Sequence, residues 1–334
     1  MSAAPALTPV VLLTGFLGSG KTTLLARLLR DPALSDTAVL VNELGEIGLD
    51  HHLLERVDDE VVLLASGCLC CTIRGELAEA VRRLLSRRSR GEVAPFRRIV
   101  VESTGLADPL PVIATIAADP VLKHHVRMGA VIATVDAVNG RDQFARHPES
   151  VAQAAVADHL VLTKTDLASA RETAAAIAAL RALNPDAPLH RATDALDAPS
   201  LLGERTLLTG GFRCVPAPVG ARPHGDAVAS LSLVFDAVDW TVFGLWLSML
   251  LHRHGGTILR VKGLLAVAGT DGPVAIHGVQ HLVHVPQHLP AWPEGGDRRS
   301  RLVVITRGLA PHAIERSMTA FGLLPTAPAI AQGR

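Results

Sequence analysis

The feature that most constrains this chain is a glycine-rich loop near its start. Residues 15 to 22 have the sequence Gly-Phe-Leu-Gly-Ser-Gly-Lys-Thr, which fits the phosphate-binding pattern G-x-x-x-x-G-K-[ST]. The apolar run Pro9 to Thr14 predicts a buried strand, and Thr23 to Arg30, rich in Leu, Ala and Arg, predicts the start of a helix. A strand, this loop and a helix in that order predict a P-loop fold that binds a nucleoside triphosphate.

The loop pattern also assigns roles to its residues. Glycines let the backbone N–H groups point inward at phosphate oxygens, and the helix N-terminus adds its positive end. We expect Lys21 to reach the terminal phosphates and the Thr22 hydroxyl to bind Mg²⁺. The predicted nucleotide-binding residues of this segment are Gly15, Gly18, Ser19, Gly20, Lys21, Thr22 and Thr23.

A second candidate element follows the strand predicted over Arg97 to Val101. The sequence Glu102-Ser103-Thr104-Gly105 resembles a Walker B element with Glu in place of Asp. We expect Glu102 to orient Mg²⁺ or the attacking water. The Gly105 N–H is then placed to sense the γ-phosphate.

A third element indicates which base is bound. The strand predicted over His159 to Thr163 runs into Thr163-Lys164-Thr165-Asp166, which matches the Asn/Thr-Lys-x-Asp segment by which GTPases recognise guanine. The Asp166 carboxylate would accept the guanine N1–H and N2–H₂, and the Lys164 stem would lie along the base. The sequence therefore predicts GTP rather than ATP.

Two loops carry further candidate ligands. The loop Asn42 to Asp50 contains Glu43, Glu46 and Asp50; these carboxylates would contact Mg²⁺, position water or simply be solvated. After the strand predicted over Val61 to Leu64 come three cysteines, Cys68, Cys70 and Cys71. Thiolates bind Zn²⁺, Cu(I) and Co(II) well, so the cluster predicts a metal site whose fourth ligand is Glu43, a histidine, water or a partner's residue. The alternative is that these cysteines are buried and inert.

Strands alternating with helices from residue 9 to about 190 predict an α/β domain with a mostly parallel sheet covered on both faces by helices. Three prolines and two glycines between Pro216 and Gly225 indicate a linker. We therefore expect a P-loop domain over 1–215, a linker over 216–226, a smaller α+β domain over 227–324 and a flexible tail over 325–334. In the second domain the pattern predicts a helix from about Trp240 to His254 and strands over Ile258 to Gly263, Leu264 to Ala268 and Gly278 to Val285. Four histidines, His277, His281, His284 and His288, are expected to be surface residues on strands rather than metal ligands.

The charge and apolar patterns favour some classes of protein over others. Lys plus Arg and Asp plus Glu number 32 each, so no global charge points to nucleic acid or to a membrane. A helix is predicted from about Arg74 to Leu85. The arginines between Arg82 and Arg90 lack interleaved aromatics, so we expect a solvated helix end. No signal peptide or apolar run of about 20 residues is present, and we expect a cytoplasmic protein with reduced cysteines.

Taken together, these elements resemble the CobW-type family of P-loop GTPases, which includes cobalamin-biosynthesis, nitrile-hydratase-activator and zinc-chaperone members. The resemblance spans nearly the whole chain, and Cys-x-Cys-Cys is its most specific part. The matching segments are Gly15 to Thr22 with Thr23, Asn42 to Asp50, Gly67 to Thr72, Glu102 to Gly105, Thr163 to Asp166, Arg260 to Gly263, Gln280 with Trp292, and Leu302 to Gly308.

The resemblance implies a GTPase that binds GTP or GDP with Mg²⁺ and loads Zn²⁺ or Co²⁺ through its three clustered cysteines. Hydrolysis, with Lys21, Glu43 and Glu102 as the catalytic residues, would release the ion to a client metalloprotein or a cobalamin or other cofactor enzyme, and a dimer that depends on nucleotide or metal fits this cycle. A slow basal rate is expected because no arginine finger is evident except Arg74. The long His-rich stretch of some members is absent; only His224 stands in the linker.

Two other functions fit parts of the pattern. A regulatory or assembly GTPase would use the cysteines to sense metal or redox state and its second domain to dock a partner. A P-loop kinase acting on a small molecule would need an acceptor pocket or lid, and the sequence shows neither.

Overall fold

The computed structural model describes residues 7–42, 61–64, 72–202, 228–293 and 297–325 of the 334-residue chain. The chain divides into two compact units, Met1–Thr206 and Leu207–Arg334. Among the described residues, no helix has both the length and the apolar character needed to cross a membrane.

The first unit is built on a seven-stranded sheet in the order β3-β2-β4-β1-β5-β6-β7. Every pairing in it is parallel, which confirms the predicted fold class. Parallel strands covered on both faces are almost wholly apolar, and Val10 to Leu13 at the centre are at most 1% exposed. The strands are β1 Thr8–Gly15, β2 Thr37–Asn42, β3 Val61–Leu64, β4 Arg98–Glu102, β5 Val126–Asp136, β6 His159–Thr163 and β7 Leu189–Arg191.

The helices of this unit connect the parallel strands. The helices between β4 and β6 and the helix after β7 were not predicted, and neither was β7; short helices and a three-residue strand have weak periodicity. The helices are α1 Lys21–Leu28, α2 Thr72–Ser89, α3 Pro109–Ala118, α4 Gly140–Arg146, α5 Pro148–Val156, α6 Ala170–Leu183 and α7 Ala198–Leu201. Short 3₁₀ turns cover Pro32–Leu34 and Leu122–His124.

The second unit has an antiparallel sheet in the order β11-β10-β9-β13-β8, with β12 paired to β10. Its core lies between this sheet and two helices; Phe243 and Trp246 are at most 1% exposed and pack with Leu302 and Val304. The elements are β8 Val228–Phe235, α8 Trp240–His254, β9 Ile258–Leu265, β10 Val274–Val279, β11 Leu282–Val283, β12 Gln287–His288, β13 Ser300–Arg307 and α9 Pro311–Ala320.

Three sequence predictions in this unit are wrong. Ile258 to Gly263 and Leu264 to Ala268 were expected as separate strands, but β9 runs without a break to Leu265. Gly278 to Val285 was expected as one strand, but Gln280 has φ +52 and begins the turn between β10 and β11. His277 is also only 9% exposed, so it is not the surface histidine expected. The apolar content of both segments was clear, but pairing between strands decides where each one turns.

Candidate functional site

The glycine-rich loop leaves the carboxyl end of β1, the strand between β4 and β5. Its backbone depends on glycine: Gly15 has φ +143, and a Cβ there would lie 2.2 Å from the Oγ1 of Thr134. The Ser19 and Thr134 hydroxyls are 2.7 Å apart and buried. The loop is therefore packed tightly against β5, and this packing sets its shape.

Lys21 lies at the start of α1 with only 8% of its surface exposed. Its ammonium donates hydrogen bonds to the carbonyl oxygens of Gly15, at 3.0 Å, and Phe16, at 3.3 Å. These bonds hold the charge over the loop, at the N-terminus of α1, where the helix dipole also favours an anion. The arrangement brings a fixed cation and backbone donors to one point, which suits a phosphate group.

Thr22 and Glu102 come together from different elements. Glu102 ends β4, in register with Leu13 of β1, and is 3% exposed. The Thr22 hydroxyl donates a hydrogen bond to its Oε1 at 2.6 Å. Thr23, the next residue of α1, is exposed. A hydroxyl and a carboxylate side by side are hard oxygen donors, the type that Mg²⁺ prefers.

The segment after Glu102 is anchored to the same loop. The Ser103 N–H donates to the Leu13 carbonyl at 2.9 Å, and the Ser103 hydroxyl donates to the Thr14 hydroxyl, also at 2.9 Å. A Cβ on Gly105 would lie 2.5 Å from the Leu17 nitrogen. Only glycine permits this approach between two backbones, so Gly105 lies directly against the phosphate-binding loop.

The Thr-Lys-Thr-Asp segment meets the loop from the other side. The Thr163 hydroxyl, buried at the end of β6, donates to the Ser19 carbonyl at 2.7 Å. Threonine at this place therefore acts as a direct link to the phosphate-binding loop. Lys164 has φ +54, a strained value for a residue with a side chain, and Asp166 is exposed. The structure thus brings together the described parts of the predicted nucleotide site.

Asp136, at the end of β5, is a site residue that the sequence did not single out. Its side chain is 1% exposed and accepts a hydrogen bond from the Lys164 ammonium at 2.8 Å. It also accepts from the Asn139 side chain at 3.0 Å and from the Val138 N–H at 2.8 Å. Burial alone would raise the pKa of Asp136, but the hydrogen bonds from Lys164, Asn139 and the backbone outweigh it and lower the pKa below its ordinary value. The signal in the sequence was an acidic residue ending a buried strand, as at Glu102.

Several predicted residues lie outside the described part of the chain: Glu43, Glu46, Asp50, Cys68, Cys70 and Cys71. Arg74 is in α2, but its side chain is not described. In the segments that the structure describes, no group of three or more His, Cys, Asp or Glu side chains is arranged to hold a metal ion.

Comparison with known proteins extends over most of the chain. Residues 9–191 match the CobW/HypB/UreG nucleotide-binding domain, and residues 228–321 match the cobalamin synthesis protein cobW C-terminal domain. The zinc chaperone YjiA of Escherichia coli is 32% identical over 90% of this chain and 93% of its own length. The zinc chaperone CobW of Pseudomonas aeruginosa is 31% identical over 93% of this chain and 90% of its own.

A solved structure gives the same picture. The crystal structure of Zn(II)-bound YjiA GTPase from E. coli superimposes with a TM-score of 0.70 at 27% identity. The match covers 95% of this chain and 99% of that one. The likeness therefore includes both units.

Proposed function

This chain belongs to the CobW/HypB/UreG family and is a GTPase, and we propose that it is a metallochaperone that delivers Zn²⁺ to a client protein. Relatives that match along most of the chain are named zinc chaperones. The observation that carries the proposal is that Thr22 and Glu102 meet at 2.6 Å beside the phosphate-binding loop. A nucleotide-dependent change at that point can be passed to a neighbouring metal site.

The proposal assigns a task to each of the main residues of the nucleotide site. Lys21 and the loop N–H groups bind the phosphates, Thr22 and Glu102 hold Mg²⁺, and Asp166 recognises guanine. When bound, Mg²⁺ neutralises charge that develops on the β- and γ-phosphates. Glu102 and Glu43 orient the attacking water. In this proposal no arginine finger acts on the phosphates, so basal hydrolysis is slow.

The metal site is proposed to be Cys68, Cys70 and Cys71. In the sequence, the cysteines come between the end of β3 at Leu64 and the start of α2 at Thr72. β2 lies between β3 and β4, and strands are about 4.8 Å apart; the carboxyl end of β3 is therefore about 10 Å from that of β4. Three thiolates suit Zn²⁺, and in this proposal Glu43, the residue after β2 in the sequence, couples the nucleotide to the metal site.

Zinc affinity that depends on the bound nucleotide would test this function. We would titrate Zn²⁺ against a chromophoric chelator in the presence of Mg²⁺ with a non-hydrolysable GTP analogue or with GDP, and repeat the titration with Co²⁺. The proposal expects affinity at least tenfold higher with the analogue, which is about 1.4 kcal/mol of coupling or more.

Two cysteine variants make the assignment specific. Cys70→Ala should bind GTP as the unmodified chain does and lose the tight zinc site. Cys214→Ala removes the remaining cysteine of the chain and should change neither. Equal zinc affinity with both nucleotides would favour a regulatory GTPase with a sensing or structural site instead.

A further inference from the structure

Gln153 is a buried polar residue to which the predicted site assigns no role. It lies on α5 and is 1% exposed. Its side-chain amide donates to the Gly105 carbonyl at 3.1 Å and to the Ala107 carbonyl at 2.9 Å. Its Oε1 is buried and has no hydrogen-bond partner among the described residues. A buried amide is kept in this way only where its hydrogen bonds compensate for its desolvation.

The two carbonyls belong to the loop between β4 and α3. That loop starts at Ser103, which is bonded to β1, and ends at Asp108, whose carboxylate accepts the Leu110 N–H and caps α3. Between these fixed ends, Gly105 lies against Leu17 of the phosphate-binding loop, and Leu106 is 42% exposed. The Gln153 amide donates both of its hydrogen bonds to this middle part of the loop. Through them, α5 holds the loop against the phosphate-binding loop.

We propose that Gln153 is a positioning residue that holds Gly105 where its backbone meets the γ-phosphate, so that the protein distinguishes GTP from GDP. Both nucleotides share the contacts of Lys21 and the glycine-rich loop with the β-phosphate. Only GTP extends to the Gly105 loop. Loss of the Gln153 bonds leaves that loop free to retreat, which weakens binding of the triphosphate and spares the diphosphate.

The test compares two affinities in the full chain without transition metal, so its outcome is independent of the zinc proposal. Gln153→Met keeps the length of the side chain and removes both donors. With Mg²⁺, affinity for a fluorescent GDP should stay within about twofold, and affinity for a non-hydrolysable GTP analogue should fall about tenfold. Gln153→Glu also removes both N–H donors and places a negative charge near the two carbonyls. It should lower the ratio of GTP-analogue affinity to GDP affinity at least as far.

Asn184 provides a matched control. It is fully buried, and its side-chain amide donates to the carbonyls of Ala154, Ala155 and Ala157 at the end of the same helix. None of these three carbonyls belongs to the Gly105 loop. Asn184→Leu should lower thermal stability and leave the ratio of the two affinities unchanged. An unchanged ratio in Gln153→Met, or an equal loss for both nucleotides, overturns the proposal.

A measurement on the unmodified chain covers the case in which the variants do not fold. The side-chain NH₂ signals of Gln153 and Asn184 can be followed by NMR with GDP and with the GTP analogue. The proposal expects the Gln153 signals to shift between the two states by more than the Asn184 signals. Equal shifts, or none at Gln153, would contradict it.

Discussion

At the scale of single residues, the site depends on charges that other groups hold in place. Lys21 is nearly buried, and its ammonium is aimed by two carbonyls of the loop it serves. Lys164 is held by the Asp136 carboxylate. Each cation is therefore positioned before nucleotide arrives, and little ordering of side chains is needed on binding.

Removal of the Lys21 charge should abolish tight nucleotide binding. Hydrogen bonds to charged groups contribute about 1.5–3 kcal/mol each, so Lys21→Ala should weaken GTP and GDP at least about a hundredfold. Isothermal titration calorimetry would measure this. Lys123→Ala, an exposed lysine of the same unit, is the control and should bind normally. Retention of affinity within tenfold in Lys21→Ala would contradict the assignment.

Asp136→Asn tests the pair with Lys164. Because the pKa of Asp136 is lowered by folding, its charge stabilises the protein above the ordinary Asp pKa of about 3.9, and this contribution is lost as pH falls through the lower, folded-state value. At pH 7 the free energy of unfolding of the variant should be about 1–2 kcal/mol lower. The loss is modest because Lys164 is 35% exposed and solvent screens the pair.

The pH dependence of that difference is the decisive measurement. Denaturant unfolding of both proteins would be measured at pH 7, 5 and 3.5. The difference between their free energies of unfolding should be the same at pH 7 and 5 and smaller at pH 3.5. A difference that is as large at pH 3.5 as at pH 7 would show that the charge of Asp136 is not its cause.

At the scale of elements, local sequence signals placed most strands and helices but not their ends. Asp239 caps α8 by accepting the Val242 N–H, and the predicted bounds of that helix, Trp240 and His254, agree with the structure. In contrast, α2 runs from Thr72 to Ser89, several residues beyond the predicted end near Leu85. Its arginine-rich end stays helical because Arg88 donates hydrogen bonds to the Thr8 hydroxyl and to the Phe96 carbonyl. The sequence of the helix itself does not reveal these contacts.

Two glycines of α8 should respond in opposite directions to alanine. Gly244 is inside the helix, and a Cβ there would meet nothing within 4 Å; Gly244→Ala should add about 0.5–1 kcal/mol to the free energy of unfolding, since glycine is a poor helix former. At Gly255, the C-cap, a Cβ would lie 2.5 Å from the Leu251 carbonyl oxygen and against the His281 ring. Gly255→Ala should lower the free energy of unfolding by about 1–3 kcal/mol. Chemical denaturation followed by Trp fluorescence measures both, and equal signs would contradict the packing at Gly255.

At the scale of the whole molecule, the proposed nucleotide site is made from residues of the first unit. Nucleotide at a hundred times its dissociation constant should stabilise the state that binds it by about 2.7 kcal/mol. Hydrogen exchange should therefore slow by about a hundredfold in β1 and β5 when GDP and Mg²⁺ are added, and much less in β9 and β13. Equal slowing in both sheets would show that the two units unfold together.

The sequence by itself determined the fold class of the first unit and the described part of its nucleotide site. Phosphate binding needs glycine, lysine and threonine at fixed spacing, and buried parallel strands need unbroken apolar runs; both are local requirements that are visible in the order of residues. It also placed the strands that lead into Glu102 and into Thr163.

Tertiary structure alone decided which distant residues hold that site together. Asp136 and Lys164 are 28 positions apart, and Gln153 is 48 from Gly105; their sequence neighbourhoods contain no pattern that joins them. The same is true of the hairpin turn at Gln280 and of Thr163 bonded to Ser19. A hydrogen bond between elements depends on strand order and helix packing, which arise from the whole chain and not from any one segment of it.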